Sequence, residues 1–139
     1  MKRISSVFAL AAVLVSPVVH SQQADAVGSA VNAANQWLAL ADASDSASTW
    51  EQASPSFQAA ISKVNWSVAL KQARQPLGMV KSRKIASSEL KHSRPGAQDG
   101  EYVLIQYDTQ FEHQTRAVET VVPMRDKDGN WKVSGYFVK

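Results

Sequence analysis

The 139-residue chain has room for one domain, and its 45% hydrophobic and 19% charged content excludes a disordered polymer. It holds no cysteine, which removes disulfides, thiolate metal sites, iron–sulfur clusters and cysteine nucleophiles together. A formal charge of +3 is too small to indicate a nucleic-acid partner.

The N-terminus reads as an export signal. Lys2 and Arg3 precede an unbroken apolar run, Val7 to Val15, followed by Ser16 and Pro17. Val19 and Ser21 stand at −3 and −1 of a cut after Ser21, where signal peptidase accepts small or aliphatic residues. The run is too short to span a bilayer, which takes about 20 residues, and Pro17 would break a core helix. No cysteine follows it, so no lipid anchor is expected. The expectation is a signal peptide over residues 1–21, a mature domain over 22–139, and a periplasmic or secreted location without a stable membrane span.

The first half of the mature chain has helical periodicity. Val27, Val31, Ala34, Leu38 and Ala41 form one apolar stripe at steps of three and four. Asp42 to Ser48 is a polar break. Ser48 and Glu51 have the spacing of a capping box, which predicts a short helix ending before Pro55. A second short piece is predicted over Phe57 to Ile61. Ser62 is placed to cap a third helix carrying Val64, Trp66, Leu70 and Ala73, stopped by Pro76 and Gly78.

The second half alternates at period two. Val80 to Leu90 is the first expected strand, and Pro95-Gly96 with Asp99-Gly100 mark a loop. Glu101 to Phe111 places Val103, Ile105, Tyr107, Thr109 and Phe111 on one face. Arg116 to Met124 places Val118, Thr120, Val122 and Met124 together. Asp128-Gly129 marks a hairpin into a last strand with Trp131, Val133, Gly135 and Phe137 on one face. Strands joined by short turns pair antiparallel. The predicted fold is α+β, with N-terminal helices packed on an antiparallel sheet of about four strands. The expected core includes Trp66, Val103, Ile105, Phe111, Val118, Val122, Val133 and Phe137.

Charge is distributed in blocks. Residues 22–62 hold four acids and no base; residues 63–94 hold eight bases and one acid. Lys71, Arg74, Lys81, Arg83, Lys84, Lys91 and Arg94 could face an anionic partner or simply form a solvated face. His92 and His113 fall in different predicted loops without a ligand partner at metal spacing, so no metal or other cofactor is expected. No Gly-x-Ser-x-Gly elbow and no phosphate-binding glycine loop is present.

Two carboxylates in the strands stand out. Glu119 lies inside the most apolar strand, sharing parity with Val121, and Asp108 is mid-strand opposite Tyr107 and Thr109. A buried carboxylate needs a cation or several hydrogen-bond donors. Arg74 and Arg83 flank the turn into the first strand, and Tyr136 can donate a hydroxyl from the last. Arg74, Arg83, Glu119 and Tyr136 are therefore either a structural ion pair tying helix to sheet or the lining of a small ligand-binding pocket.

The order of several short motifs carries a resemblance. Trp37-Leu38 with Asp42 is followed by Trp50, Phe57, Trp66, Arg74-Gln75-Pro76-Leu77-Gly78 and Ser82-Arg83. Pro95-Gly96, Asp99-Gly100-Glu101-Tyr102, Phe111, Glu119-Thr120, Gly129-Asn130-Trp131 and Gly135-Tyr136-Phe137 complete it. This pattern resembles the bacterial secreted family known as domain of unknown function 4019, over nearly all of the mature chain. The resemblance implies no activity, cofactor or catalytic residue. Its helix-then-sheet order is also similar to the cone-shaped domains related to nuclear transport factor two and to the cystatin-type fold, architectures that host enzymes and binders alike.

The leading functional expectation is a non-enzymatic envelope protein that binds a small molecule or another envelope protein between helices and sheet. The alternatives are a small hydrolase or isomerase with Glu119 or Asp108 as general base, and a structural homodimer formed through the outer sheet face.

Overall fold

A computed structural model describes residues 18–139, with side chains from His20 onward. Lys2, Arg3, the Val7–Val15 run and Pro17 lie outside the described residues. The elements in order are helices α1 (Val18–Asp42), α2 (Ser46–Glu51), α3 (Pro55–Ala60) and α4 (Lys63–Arg74), a 3₁₀ turn (Gln75–Leu77), and strands β1 (Val80–Lys91), β2 (Tyr102–Phe111), β3 (Ala117–Arg125) and β4 (Trp131–Val138). The arrangement is α+β.

Of the stripe read from the sequence, α1 buries Ala34, Leu38 and Ala41 and half-buries Val27 and Val31, while Ala30 and Trp37 beside it join the core. Side chains from His20 to Asp25 are exposed, so nothing in the core depends on them. The start of α2 differs from expectation. Its N-cap is Asp45, whose carboxylate accepts from the Ser48 amide at 3.1 Å and from the Ser48 hydroxyl at 2.7 Å. Ser48 is thus bound by the cap instead of forming a box with Glu51. An aspartate at this position satisfies an orphan amide and suits the positive helix end. Ser54 caps α3 and Ser62 caps α4, each accepting the amide three residues on. Trp37 and Trp66 both anchor on Thr49, whose backbone oxygen accepts the first indole N–H and whose hydroxyl accepts the second.

The strands form one antiparallel sheet in the order β1-β2-β3-β4. Gly78, between the 3₁₀ turn and β1, has φ +76°, and a Cβ there would lie 2.9 Å from the His113 ring. That close approach and backbone angle explain the glycine. The Gly129 turn closes the β3–β4 hairpin, with its amide bonded to the Asp126 carbonyl at 2.9 Å. The Ser54 amide donates to the Val133 carbonyl at 2.9 Å, so the helical layer also covers part of the β4 edge.

The face of β2 follows expectation, with Val103, Ile105, Tyr107, Thr109 and Phe111 all buried. Two expectations are corrected. Val118 is 38% exposed and Phe137 55% exposed, while Trp66, Val103, Ile105, Phe111, Val122 and Val133 are buried. In β3 the core face is Ala117, Glu119 and Val121, since Glu119 pairs with Tyr107 and Val121 with Ile105. In β4 a bulge sets Ser134 and Gly135 opposite Val122 alone, because Pro123 pairs with Val133 and Val121 with Tyr136. One extra residue inverts the alternation, turning Tyr136 inward and Phe137 outward. Val122 and Tyr102 are buried on the outer face, away from the helices. The β1–β2 loop folds back there: the Tyr102 hydroxyl donates to the Gln98 carbonyl, and the Arg94 guanidinium lies 6.0 Å from the Phe137 ring centre.

Candidate functional site

Four strands and two helices converge on one polar cluster under the helical layer. β3 contributes Glu119, whose side chain is completely buried. β2 delivers Thr109, whose hydroxyl donates to Glu119 Oε1 at 2.6 Å. From β1, Arg83 Nε donates to the same oxygen at 2.8 Å. Tyr136 on β4 donates to Glu119 Oε2 at 2.5 Å, and Arg74 at the end of α4 approaches that oxygen at 3.5 Å. Arg74 also donates to the Tyr136 hydroxyl at 3.2 Å and stacks over Phe111 at 5.1 Å.

Asp42, the last residue of α1, closes the circuit. It accepts from Arg74 at 2.6 Å and from both terminal nitrogens of Arg83 at 2.7 and 3.0 Å. Two guanidinium groups therefore face two carboxylates, and the formal charges cancel. An acid at a helix C-terminus is opposed by the macrodipole, which the two arginines outweigh; Arg74, at the C-terminus of α4, is favoured by it. Every acceptor direction of Glu119 is filled, two donors to each oxygen. No buried side-chain nitrogen or oxygen among the described residues lacks a hydrogen-bond partner.

The electrostatics follow from the geometry. Burial by itself raises the Asp42 carboxyl, but hydrogen bonds from Arg83 and Arg74, with their charges, outweigh it and hold the group below its ordinary range. Burial pushes the Tyr136 hydroxyl well above its usual value, and the Glu119 charge adds to this. Tyr107, whose hydroxyl donates to Asn35 at 2.9 Å, is pushed up to about 12, mainly by burial. Arg83 is held protonated by its two carboxylate partners against the effect of burial.

The structure thus brings Arg74, Arg83, Glu119 and Tyr136 together, within reach of one another. Asp42 and Thr109 were not anticipated as members. A signal for Asp42 existed in its place at a helix C-terminus, where an acid calls for a nearby cation. Thr109 was hidden in the apolar alternation of β2. Asp108 does not join Glu119: it is exposed on the opposite sheet face. There it borders a cleft of about 510 Å³ with Lys84 and Arg116. Within the basic middle segment, Arg74 and Arg83 are bound in the cluster, Lys63 pairs with Glu51, and Lys91 with Glu89 at 3.2 Å.

A larger cleft of about 1400 Å³ lies elsewhere, between the N-terminal half of α1 and the tip of the β3–β4 hairpin. Among the described residues no group of three or more His, Asp or Glu side chains converges as a metal site would. No helix among them is long and apolar enough to cross a membrane.

No curated protein matches the chain in sequence. The family model described as protein of unknown function (DUF4019) matches residues 33–136. That span contains all six members of the cluster, from Asp42 to Tyr136. The motifs that suggested the resemblance and the packed core they build are therefore those of one family: the chain belongs to the proteins of unknown function grouped as DUF4019.

Proposed function

We propose that this is an exported, non-catalytic binding module, in which the Asp42–Arg74–Arg83–Glu119–Tyr136 cluster is architectural and the cleft beside α1 receives the ligand. The observation that carries this reading is the saturation of Glu119. A general base must have a free lone pair aimed at substrate. Each Glu119 oxygen already accepts two donors, three of the four bonds between 2.5 and 2.8 Å. Asp108, the other candidate base, stands exposed on the far face of the sheet, apart from this cluster. The cleft beside α1, by contrast, presents the exposed carboxamides of Asn32, Gln36 and Gln52 beside ion-paired side chains of the hairpin.

Native mass spectrometry of protein recovered from the periplasm or medium tests the binding reading through co-purified molecules. N-terminal sequencing of the same material tests export, with Gln22 as the expected first residue. A form that retains Met1 and stays in the cytoplasm would end the export reading.

A structural homodimer is the second reading. Exposed Val118 and Phe137 on the outer sheet face favour it. Sedimentation equilibrium tests it: a dimer should become a monomer in Phe137→Ser.

A further inference from the structure

Resting on the binding reading above, we infer that the cleft between α1 and the β3–β4 hairpin takes an uncharged oligosaccharide. Beside its buried stripe, α1 carries an exposed polar shoulder that includes Asn32 and Gln36, one helical turn apart. It lines the cleft together with Gln52, from the end of α2, and Asn130, from the hairpin. Leu90 and Trp131 also line it while packing in part against the core, which makes them its apolar floor.

Both cations at this cleft are paired with carboxylates. Arg125 pairs with Glu101 at 3.2 Å, and Lys132 pairs with Asp126 at 3.0 Å and Asp128 at 3.7 Å. Asp25 adds one further acid to the lining, which works against an anion. Carboxamides are the commonest polar groups of the lining, joined by Ser29, His92 and the Trp131 indole. A carboxamide donates and accepts in one plane, as vicinal hydroxyls do in return. An indole offers a flat apolar surface, which suits the C–H face of a pyranose ring. The volume of about 1400 Å³ exceeds the usual span for one small molecule and fits a chain of several sugar rings.

The test is calorimetric titration of the exported chain with two probes, the β-1,4-linked tetramer of N-acetylglucosamine and the α-1,4-linked tetramer of glucose. Saturable binding of at least one is expected, and which one binds distinguishes a wall-type amino sugar from a glucan. Trp131→Ala should weaken binding about tenfold, and Trp131→Phe, which keeps a flat ring, should retain most of it. Because Trp131 also touches the core, the exposed pair Asn32→Ala/Gln36→Ala is the control. It should weaken binding roughly three- to tenfold with an unchanged melting temperature. Failure of both tetramers to saturate, or binding untouched by the Asn32/Gln36 pair, overturns the inference. If a co-purified peptide or other non-saccharide binds instead, and the pair weakens it, the saccharide falls and the binding reading stands. If nothing co-purifies and nothing binds, both fall.

Discussion

Replacing Glu119 by glutamine keeps the side-chain shape and removes one charge at the completely buried member of the cluster. The new amide group must replace one oxygen, and guanidinium groups cannot accept its hydrogens. The Oε1 side faces Arg83 at 2.8 Å and would be the costlier place. On the Oε2 side the Tyr136 hydroxyl can rotate to accept, and Arg74 is already distant at 3.5 Å while held by Asp42 at 2.6 Å. The amide therefore settles toward Tyr136. What is lost is the charge character of the remaining bonds and the balance of two cations against two anions. Hydrogen bonds to charged groups are worth about 1.5–3 kcal/mol each, and removing one partner of a buried pair costs about 3–5 kcal/mol. With half the bonds retained, the expected loss is about 3 kcal/mol. Urea unfolding followed by tryptophan emission measures it, since the Trp37 ring lies 5.1 Å from the Tyr136 ring. The midpoint should fall by about 1–3 M. Arg83→Met combined with Glu119→Leu should cost less than the sum of its two single changes, by about 1.5 kcal/mol or more. A loss under about 1 kcal/mol for Glu119→Gln, with additive behaviour in the pair, would refute the architectural role.

Ile105→Ala should cost roughly 2–5 kcal/mol in the same melts, whereas Val118→Thr on the outer face should stay within about 0.5 kcal/mol. A reversal of that ranking would mean the sheet faces are assigned wrongly. Acid should destabilise the fold through Asp42. Its folded pKa lies below the unfolded value of 3.8, so its contribution is complete above that value and is lost as pH falls through the folded one. Asp42→Asn should flatten this acid limb in melts taken from pH 5 to 2, and an unchanged slope would count against the pairing. Alkali acts with the opposite sign: Tyr107 and Tyr136 are raised above 10.0, so stability is complete below pH 10 and declines as pH climbs toward 12. Tyr136→Phe should shrink that decline, read by tyrosinate absorbance alongside circular dichroism. Asp45→Ala should lower stability by uncapping α2, and Ser48→Ala should lower it less, an order that urea melts of the two variants can check.

Local chemistry was enough to order the elements. The 3.6-residue stripe from Val27 to Ala41 makes a helix wherever it lands, and the alternation from Val103 to Phe111 makes a strand, because side-chain direction is periodic in each backbone geometry. Ser62 was readable as a cap and Gly129 as a turn for the same local reason. The need of Glu119 for a cation was readable too, since a carboxylate among valines has no water to rely on. Three features belong to the tertiary structure alone. In β3 both faces are apolar enough to be buried, so only pairing with β2 decided that Glu119 and Val121 face the helices while Val118 does not. In β4 the bulge at Ser134 and Gly135 inverted the faces of Tyr136 and Phe137, and nothing in the alternation marks where an extra residue enters a ladder. Asp42 and Thr109 joined the cluster because α1 ends where β1 and β2 bring Arg83 and Thr109 beside Glu119. That meeting of segments 67 residues apart, Asp42 to Thr109, depends on how the helices cross the sheet, a distance over which sequence periodicity carries no information.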